Sequence, residues 1–372
     1  MYSMPDTRIL IAAGGTGGHV YPAIAIADAI KKQAEDARIL FVGTRDHMEW
    51  QAVPKAGYSI KSIWISGFHR KLTLRNLLFP LKLLSSLLQS ISILSSFKPQ
   101  VIVSCGGYVA GPVGYIGGKR NIPIVIQEQN SYPGVTNKLL ARFARIIFTA
   151  FIKAADYFPG EKVRLVGNPT RSQLTAMNKK QGLSAFGFEE GHPVLLVLGG
   201  SLGARSINRA MLQNLHQLHN DFKLQIIWQC GKRYENELKQ QIDEQSYPRL
   251  KMMAYLDNMP EAYAAADLVL SRAGASSCSE LMLTGKPSIL VPSPMVAGDH
   301  QTHNAGEMAN EGAAVLLKDE VATEQLPGML KELIFDAEKL NDMSHKALQL
   351  AKPDAAKTIA TEILKISRER LN

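Results

Sequence analysis

Cysteine is scarce in this chain, with three among 372 residues. Cys105, Cys230 and Cys278 are far apart, odd in number and lack any C-x-x-C spacing, which argues against a disulfide framework and against a thiolate zinc site. A reducing cytoplasm is the simplest setting. Long apolar runs are missing as well. The first one, Ile9 to Ala13, is short and leads straight into glycines, so no signal peptide is expected. The uncharged stretch between Lys82 and Lys98 is serine-rich and falls short of the roughly 20 apolar residues that span a bilayer. No acidic cluster has metal-ligand spacing. Asp299-His300-x-x-His303 comes nearest and reads as a solvated helix face, as do His216 and His219, so no bound metal is expected. Basic residues outnumber acidic ones, 42 to 33, which fits an anionic membrane or a phosphorylated substrate. No aromatic-interleaved basic stripe accompanies the excess, so nucleic acid is not expected as a partner.

What is present begins at Arg8. A short buried strand, Ile9 to Ala13, runs into Gly14-Gly15-Thr16-Gly17-Gly18-His19, and Pro22 to Lys32 then has helical apolar spacing. Glycines between a strand and a helix N-terminus make an anion site, because unpaired N–H groups and the positive dipole end point outward together. Neither familiar phosphate loop fits. A dinucleotide fingerprint finds Val20 where its third glycine belongs, and a P-loop finds His19-Val20 in place of Gly-Lys. Most histidines are structural or solvated, but one closing a glycine loop at a helix start projects toward the ligand, and His19 is the candidate base.

At this length one core is expected to split in two. The pattern of strand, glycine turn and helix does restart at Val194 to Leu198, with Gly199-Gly200-Ser201-Leu202-Gly203 behind it. The expected architecture is therefore α/β, two Rossmann-like doubly wound domains facing across a cleft, with residues 1–168 and 169–352 as the halves. Residues 353–372 are expected to form a helix that packs back on the first half. In the second half Ser271 to Glu280 reads as strand, turn and helix. Glu280 there either stabilises a helix start or accepts ribose hydroxyls. Pro292 to Gln301 reads as a loop able to close over a sugar.

Phe68 to Lys82 sets His69, Arg70, Lys71, Arg75 and Lys82 among Leu72, Leu74, Leu77, Leu78 and Phe79. It reads as a face resting on an anionic membrane surface, each cation adding roughly 1 kcal/mol. Leu81 to Leu94 reads as a core-facing crossover helix.

Taken together, Gly14 to His19, Gly106-Gly107-Tyr108, Glu128-Gln129-Asn130, Gly167-Asn168-Pro169-x-Arg171, Gly199 to Gly203, Gly274 to Glu280 and Asp299-His300-Gln301 carry a resemblance over essentially the whole chain. The sequence resembles the MurG family of bacterial peptidoglycan glycosyltransferases, glycosyltransferase family 28, of GT-B fold. That resemblance implies inverting transfer of GlcNAc from UDP-GlcNAc to the 4-hydroxyl of MurNAc in undecaprenyl-pyrophosphoryl-MurNAc-pentapeptide (lipid I), giving lipid II. It implies a peripheral enzyme on the cytoplasmic face of the inner membrane, working without a cofactor.

By the same resemblance Thr16, Gly17, Gly18, Asn130, Arg171, Ser201, Leu256, Ala275, Ser276, Ser277, Cys278, Ser279, Glu280 and Gln301 contact the donor or line its pocket, with Glu280 on the ribose. Gly106, Gly107 and Tyr108 hold the lipid diphosphate, and His19 takes the acceptor's proton. Two positions depart from the pattern: Gln127 stands where many relatives have histidine, and Leu202 where glutamine is common. A UDP-GlcNAc 2-epimerase of the same fold is the alternative reading, though it would have no use for the membrane-facing segment. Oligomeric state is not legible in the sequence.

Overall fold

A computed structural model of the chain describes residues 7–67, 78–170, 172–200 and 202–370. Arg171, Ser201 and residues 68–77 of the basic leucine-rich segment lie outside the described residues. The chain forms two compact units, Met1–Thr170 with Lys352–Asn372, and Arg171–Ala351.

In the first unit the strands are β1 (Arg8–Ala12), β2 (Arg38–Gly43), β3 (Ser59–Ser62), β4 (Val101–Ser104), β5 (Ile124–Glu128), β6 (Ala144–Thr149) and β7 (Val163–Leu165). They make one parallel sheet in the order β3-β2-β1-β4-β5-β6-β7. Central strands read as unbroken apolar runs because both faces are covered. Ile9 and Ile11 enter the core beneath the helices Gly17–Gln33 and Ala355–Glu369, while Leu10 and Ala12 enter the core on the other face. That alternation is the two-residue period of a strand.

The last helix, Ala355–Glu369, packs on Gly17–Gln33 through Ile359, Ala360, Ile363 and Leu364. Polar bonds close the rim of this contact: Gln33 Nε2 donates to the Lys357 carbonyl at 3.1 Å, and the Thr361 hydroxyl donates to Gln33 Oε1 at 2.9 Å.

The second unit repeats the plan with β8 (Val194–Leu198), β9 (Gln225–Gln229), β10 (Leu250–Met253), β11 (Leu268–Ser271), β12 (Ser288–Leu290) and β13 (Ala314–Leu316), in the order β10-β9-β8-β11-β12-β13. In each sheet the order reverses beside the first strand, between β1 and β4 and between β8 and β11. Ligands of doubly wound sheets bind at such switch points, and glycine-rich turns follow β1, β4 and β8, with the single Gly274 behind β11.

Two local expectations are corrected. The first helix starts at Gly17, inside the glycine loop, and not near Pro22, so His19 stands in its first turn. The helix Phe79–Phe97 buries Ser86, Ser90, Ile93 and Leu94, whereas Leu81, Leu84 and Leu88 are 55%, 57% and 59% exposed. Small residues win the inner face because the neighbouring helix, Ala110–Lys119, is itself rich in glycine and approaches closely. The serine hydroxyls are satisfied by their own helix, Ser86 donating to the Leu83 carbonyl and Ser90 to the Ser86 carbonyl, both at 2.7 Å. Among the described residues no helix is long and apolar enough to cross a membrane.

Candidate active site

At the switch point of the first sheet, the turns after β1 and β4 touch. Gly106 and Gly107 have φ of +94° and +81°, where a side chain is strained. A Cβ on Gly107 would lie 2.3 Å from the Gly14 carbonyl oxygen, so the two backbones meet directly. A Cβ on Gly106 would stand 3.0 Å from the His19 ring, which therefore lies against that glycine. His19 is partly exposed, and the N–H groups of Gly17 and Gly18 open its helix, where no intrahelical acceptor exists. Thr16 is exposed at the cap position and makes no side-chain cap bond.

The His19 ring is held by a residue 110 positions away: its Nδ1 lies 2.9 Å from Gln129 Oε1. Gln129 is fully buried, and its amide nitrogen donates to the Cys105 carbonyl at 2.8 Å and the Gln127 carbonyl at 3.0 Å. Carbonyls only accept, so the –NH2 of Gln129 must face them and its oxygen must face the histidine. Nδ1 then carries the proton, and Nε2 keeps the lone pair. Gln127, at the position of the missing second histidine, works inward: it also accepts from Gln129 through Oε1 and donates to Asn168 Oδ1 at 2.9 Å. Asn168 closes the circuit by donating to the Gln129 carbonyl at 3.0 Å.

Glu128 is buried and organises the loop after β5. It accepts from the Asn130 and Gly134 N–H groups at 3.0 and 3.2 Å and from Asn137 Nδ2 at 2.9 Å. Asn130 is thereby fixed at the strand's C-terminal edge. Tyr108 is 56% exposed, with its ring over Gly67.

Sequence reasoning missed Glu49. It is 0% exposed, yet its carboxylate accepts from the Gly15 N–H at 3.1 Å, the Thr44 N–H at 3.0 Å and the Thr44 hydroxyl at 2.8 Å. A Cβ at Gly14 would come within 2.7 Å of Glu49 Oε1, which is a second reason for glycine there. Glu49 thus ties the end of β2 to the loop and takes up the Gly15 N–H. Only its charge in an otherwise apolar helix face could have pointed to it.

In the second unit Gly203, with φ of +79°, brings the turn after β8 against the Cys230 carbonyl. Leu202 in that turn is 79% exposed. Beside it Arg272, just past β11, donates to the Val291 carbonyl at 3.0 Å, to Ser206 Oγ at 2.8 Å and to the Asp319 carboxylate. This guanidinium ties the helix start after β8 to the segments that follow β11, β12 and β13.

The helix Ala275–Thr284 starts at the switch point. Ala275, Cys278 and Ser279 are buried, with the Ser279 hydroxyl donating to the Ala275 carbonyl at 2.9 Å, whereas Ser276, Ser277 and Glu280 are partly exposed. Leu256 is likewise 2% exposed, and its side chain belongs to the interior. Glu280 Oε2 accepts from the Tyr263 hydroxyl at 2.9 Å. Gln301 lies in the first turn of the helix His300–Asn310 and its Oε1 accepts from the Ser293 N–H at 2.8 Å, which pins the loop before it.

Among the anticipated donor residues, Thr16, Gly17, Gly18 and Asn130 belong to the first unit, and Leu256, residues 275–280 and Gln301 to the second. Arg171 and Ser201 lie outside the described residues. Among the described residues no three His, Cys, Asp or Glu side chains cluster as a metal site.

Comparison with known proteins points one way. The glycosyltransferase family 28 N-terminal domain matches residues 9–149, and its C-terminal domain matches residues 194–359. The chain is 44% identical over 365 residues to the UDP-N-acetylglucosamine–N-acetylmuramyl-(pentapeptide) pyrophosphoryl-undecaprenol N-acetylglucosamine transferase of Flavobacterium psychrophilum, covering 98% of each chain. The crystal structure of Acinetobacter baumannii MurG is similar at a TM-score of 0.77 and 29% identity, over 97% of this chain and 100% of that one. A UDP-GlcNAc 2-epimerase from Neisseria meningitidis bound to UDP-GlcNAc gives a TM-score of 0.67 at 15% identity, over 96% of this chain and 100% of that one, a likeness of fold alone.

Proposed function

The chain belongs to glycosyltransferase family 28, and from that premise we propose that it moves GlcNAc from UDP-GlcNAc to the 4-hydroxyl of MurNAc in lipid I. The observation that carries the chemistry is the His19–Gln129 pair, which leaves Nε2 of a partly exposed imidazole as the proton acceptor. His19 takes the proton of the acceptor hydroxyl as that oxygen bonds to the anomeric carbon. On the opposite face the bond from that carbon to the diphosphate oxygen breaks, so the configuration inverts and UDP leaves.

Negative charge grows on the departing diphosphate as the sugar becomes oxocarbenium-like. The starts of the helices Arg205–His216 and Ala275–Thr284 supply oriented dipoles for it, joined by Arg171 and Ser201. Glu280 takes the ribose hydroxyls. In the first unit the Gly106-Gly107-Tyr108 turn takes the lipid diphosphate.

The acceptor is lipid-linked, which gives a use to the exposed Leu81, Leu84 and Leu88 and to Lys82 on the same helix. We assign this exposed helix face to the anionic inner leaflet of the bacterial membrane, and the cations that the sequence places at positions 69–75 to the same role. Incubation with radiolabelled UDP-GlcNAc and a short-chain lipid I analogue is expected to move label into the lipid. Release of ManNAc from UDP-GlcNAc alone would support the epimerase reading instead, and absence of transfer would overturn the proposal.

A further inference from the structure

Tyr263 lies on the helix Met259–Ala265 and is 0% exposed. A phenol hidden that completely is normally placed beside a specific partner. Here the hydroxyl donates at 2.9 Å to Oε2 of Glu280, 17 residues later on the neighbouring helix. Burial and then the Glu280 charge hold the phenol's pKa well above its ordinary value of 10.0, so it stays a donor throughout the working pH range.

A glutamate reaches its ligand through rotatable bonds, and its carboxylate plane turns unless something holds it. A carboxylate presents about four acceptor sites; the phenol takes one, and a ribose 2′,3′-diol asks for two. Burial of Cys278 and Ser279 in the preceding turn sets the helix face on which Glu280 projects. Phenylalanine would fill the same space as the tyrosine ring, so packing leaves the hydroxyl unexplained.

We propose that Tyr263 is a positioning residue for the nucleotide, its hydroxyl fixing the Glu280 carboxylate in the orientation that meets the ribose diol. This rests on the reading of Glu280 as the ribose-binding acid. Tyr263 touches no substrate atom and acts only through the carboxylate.

The test is binding of UDP and of 2′-deoxy-UDP, measured by calorimetry on the wild type, Tyr263→Phe, Glu280→Ala and the double variant. Tyr263→Phe is expected to shrink the preference for UDP over the deoxy form by about five- to tenfold. It is expected to raise KM for UDP-GlcNAc while kcat stays within about twofold. In the double variant the preference falls no lower than in Glu280→Ala alone, because the phenol then has nothing to position. Both nucleotides are measured on one preparation, so a loss of folded protein does not move the ratio. If Tyr263→Phe keeps the wild-type preference while Glu280→Ala loses it, Tyr263 merely packs and the inference falls alone. If Glu280→Ala keeps the preference, the ribose assignment itself is wrong.

Discussion

Gln129 holds His19 by its oxygen and two backbone carbonyls by its nitrogen, so a single buried amide sets which imidazole nitrogen is basic. Gln129→Leu is expected to lower kcat by about 10- to 100-fold, the usual cost of removing such an orienting partner. KM for UDP-GlcNAc should stay near wild type. His19→Ala should abolish transfer while UDP still binds. Steady-state kinetics beside UDP calorimetry check both, and full turnover by His19→Ala would remove the base assignment.

Glu49 should prove costly to neutralise. Its Oε1 accepts twice from Thr44 and its Oε2 accepts from Gly15, so an amide there must turn an –NH2 toward a donor. Glu49→Gln is expected to destabilise the first unit by about 1–3 kcal/mol and to raise KM for the lipid acceptor as the glycine loop shifts. Denaturant titration and kinetics on the same sample decide it; an unchanged midpoint would mean the carboxylate contributes nothing to the loop.

Lys286 should weaken the second unit in a pH-dependent way. Burial, helped by repulsion from Lys179, lowers its pKa from 10.5 to about 8, although its ammonium donates to the Ala266 carbonyl at 2.9 Å. Below pH 8 the folded and unfolded chains both carry this proton and the cost is complete. Between 8 and 10.5 the unfolded chain holds more of it, so stability rises with pH through that window. Lys286→Met is therefore expected to raise the thermal midpoint by about 3 °C at pH 7, with the gain shrinking toward pH 10. A gain that does not change with pH would point to packing instead.

The exposed leucines of Phe79–Phe97 should matter to lipid and not to folding. Leu84→Glu with Leu88→Glu places two charges on an outer face, where surface changes usually shift stability by about 0.5 kcal/mol or less. Sedimentation with anionic vesicles is expected to fall at least about tenfold, while the melting temperature holds. Equal vesicle binding by the double variant would rule this face out as the membrane surface.

Much of the fold was legible because each signal is local. Runs such as Val194–Leu198 are apolar throughout, which marks strands covered on both faces, and glycines behind two of them mark turns where a backbone must bend or approach a neighbour. Repetition of that unit, and a histidine directly behind the first run of glycines, follow from the chain read in order. What the sequence could not decide were pairings over distance: Glu49 with Gly15, 34 residues apart, Tyr263 with Glu280, and Gln129 with His19. The same holds for the serine face of Phe79–Phe97, since a helix's own periodicity says nothing about the breadth of the neighbour it meets. Strand, turn and helix come from interactions within a few residues. The partner of a buried carboxylate or amide, and so the state of the base, is chosen only when separate turns are brought to one sheet edge.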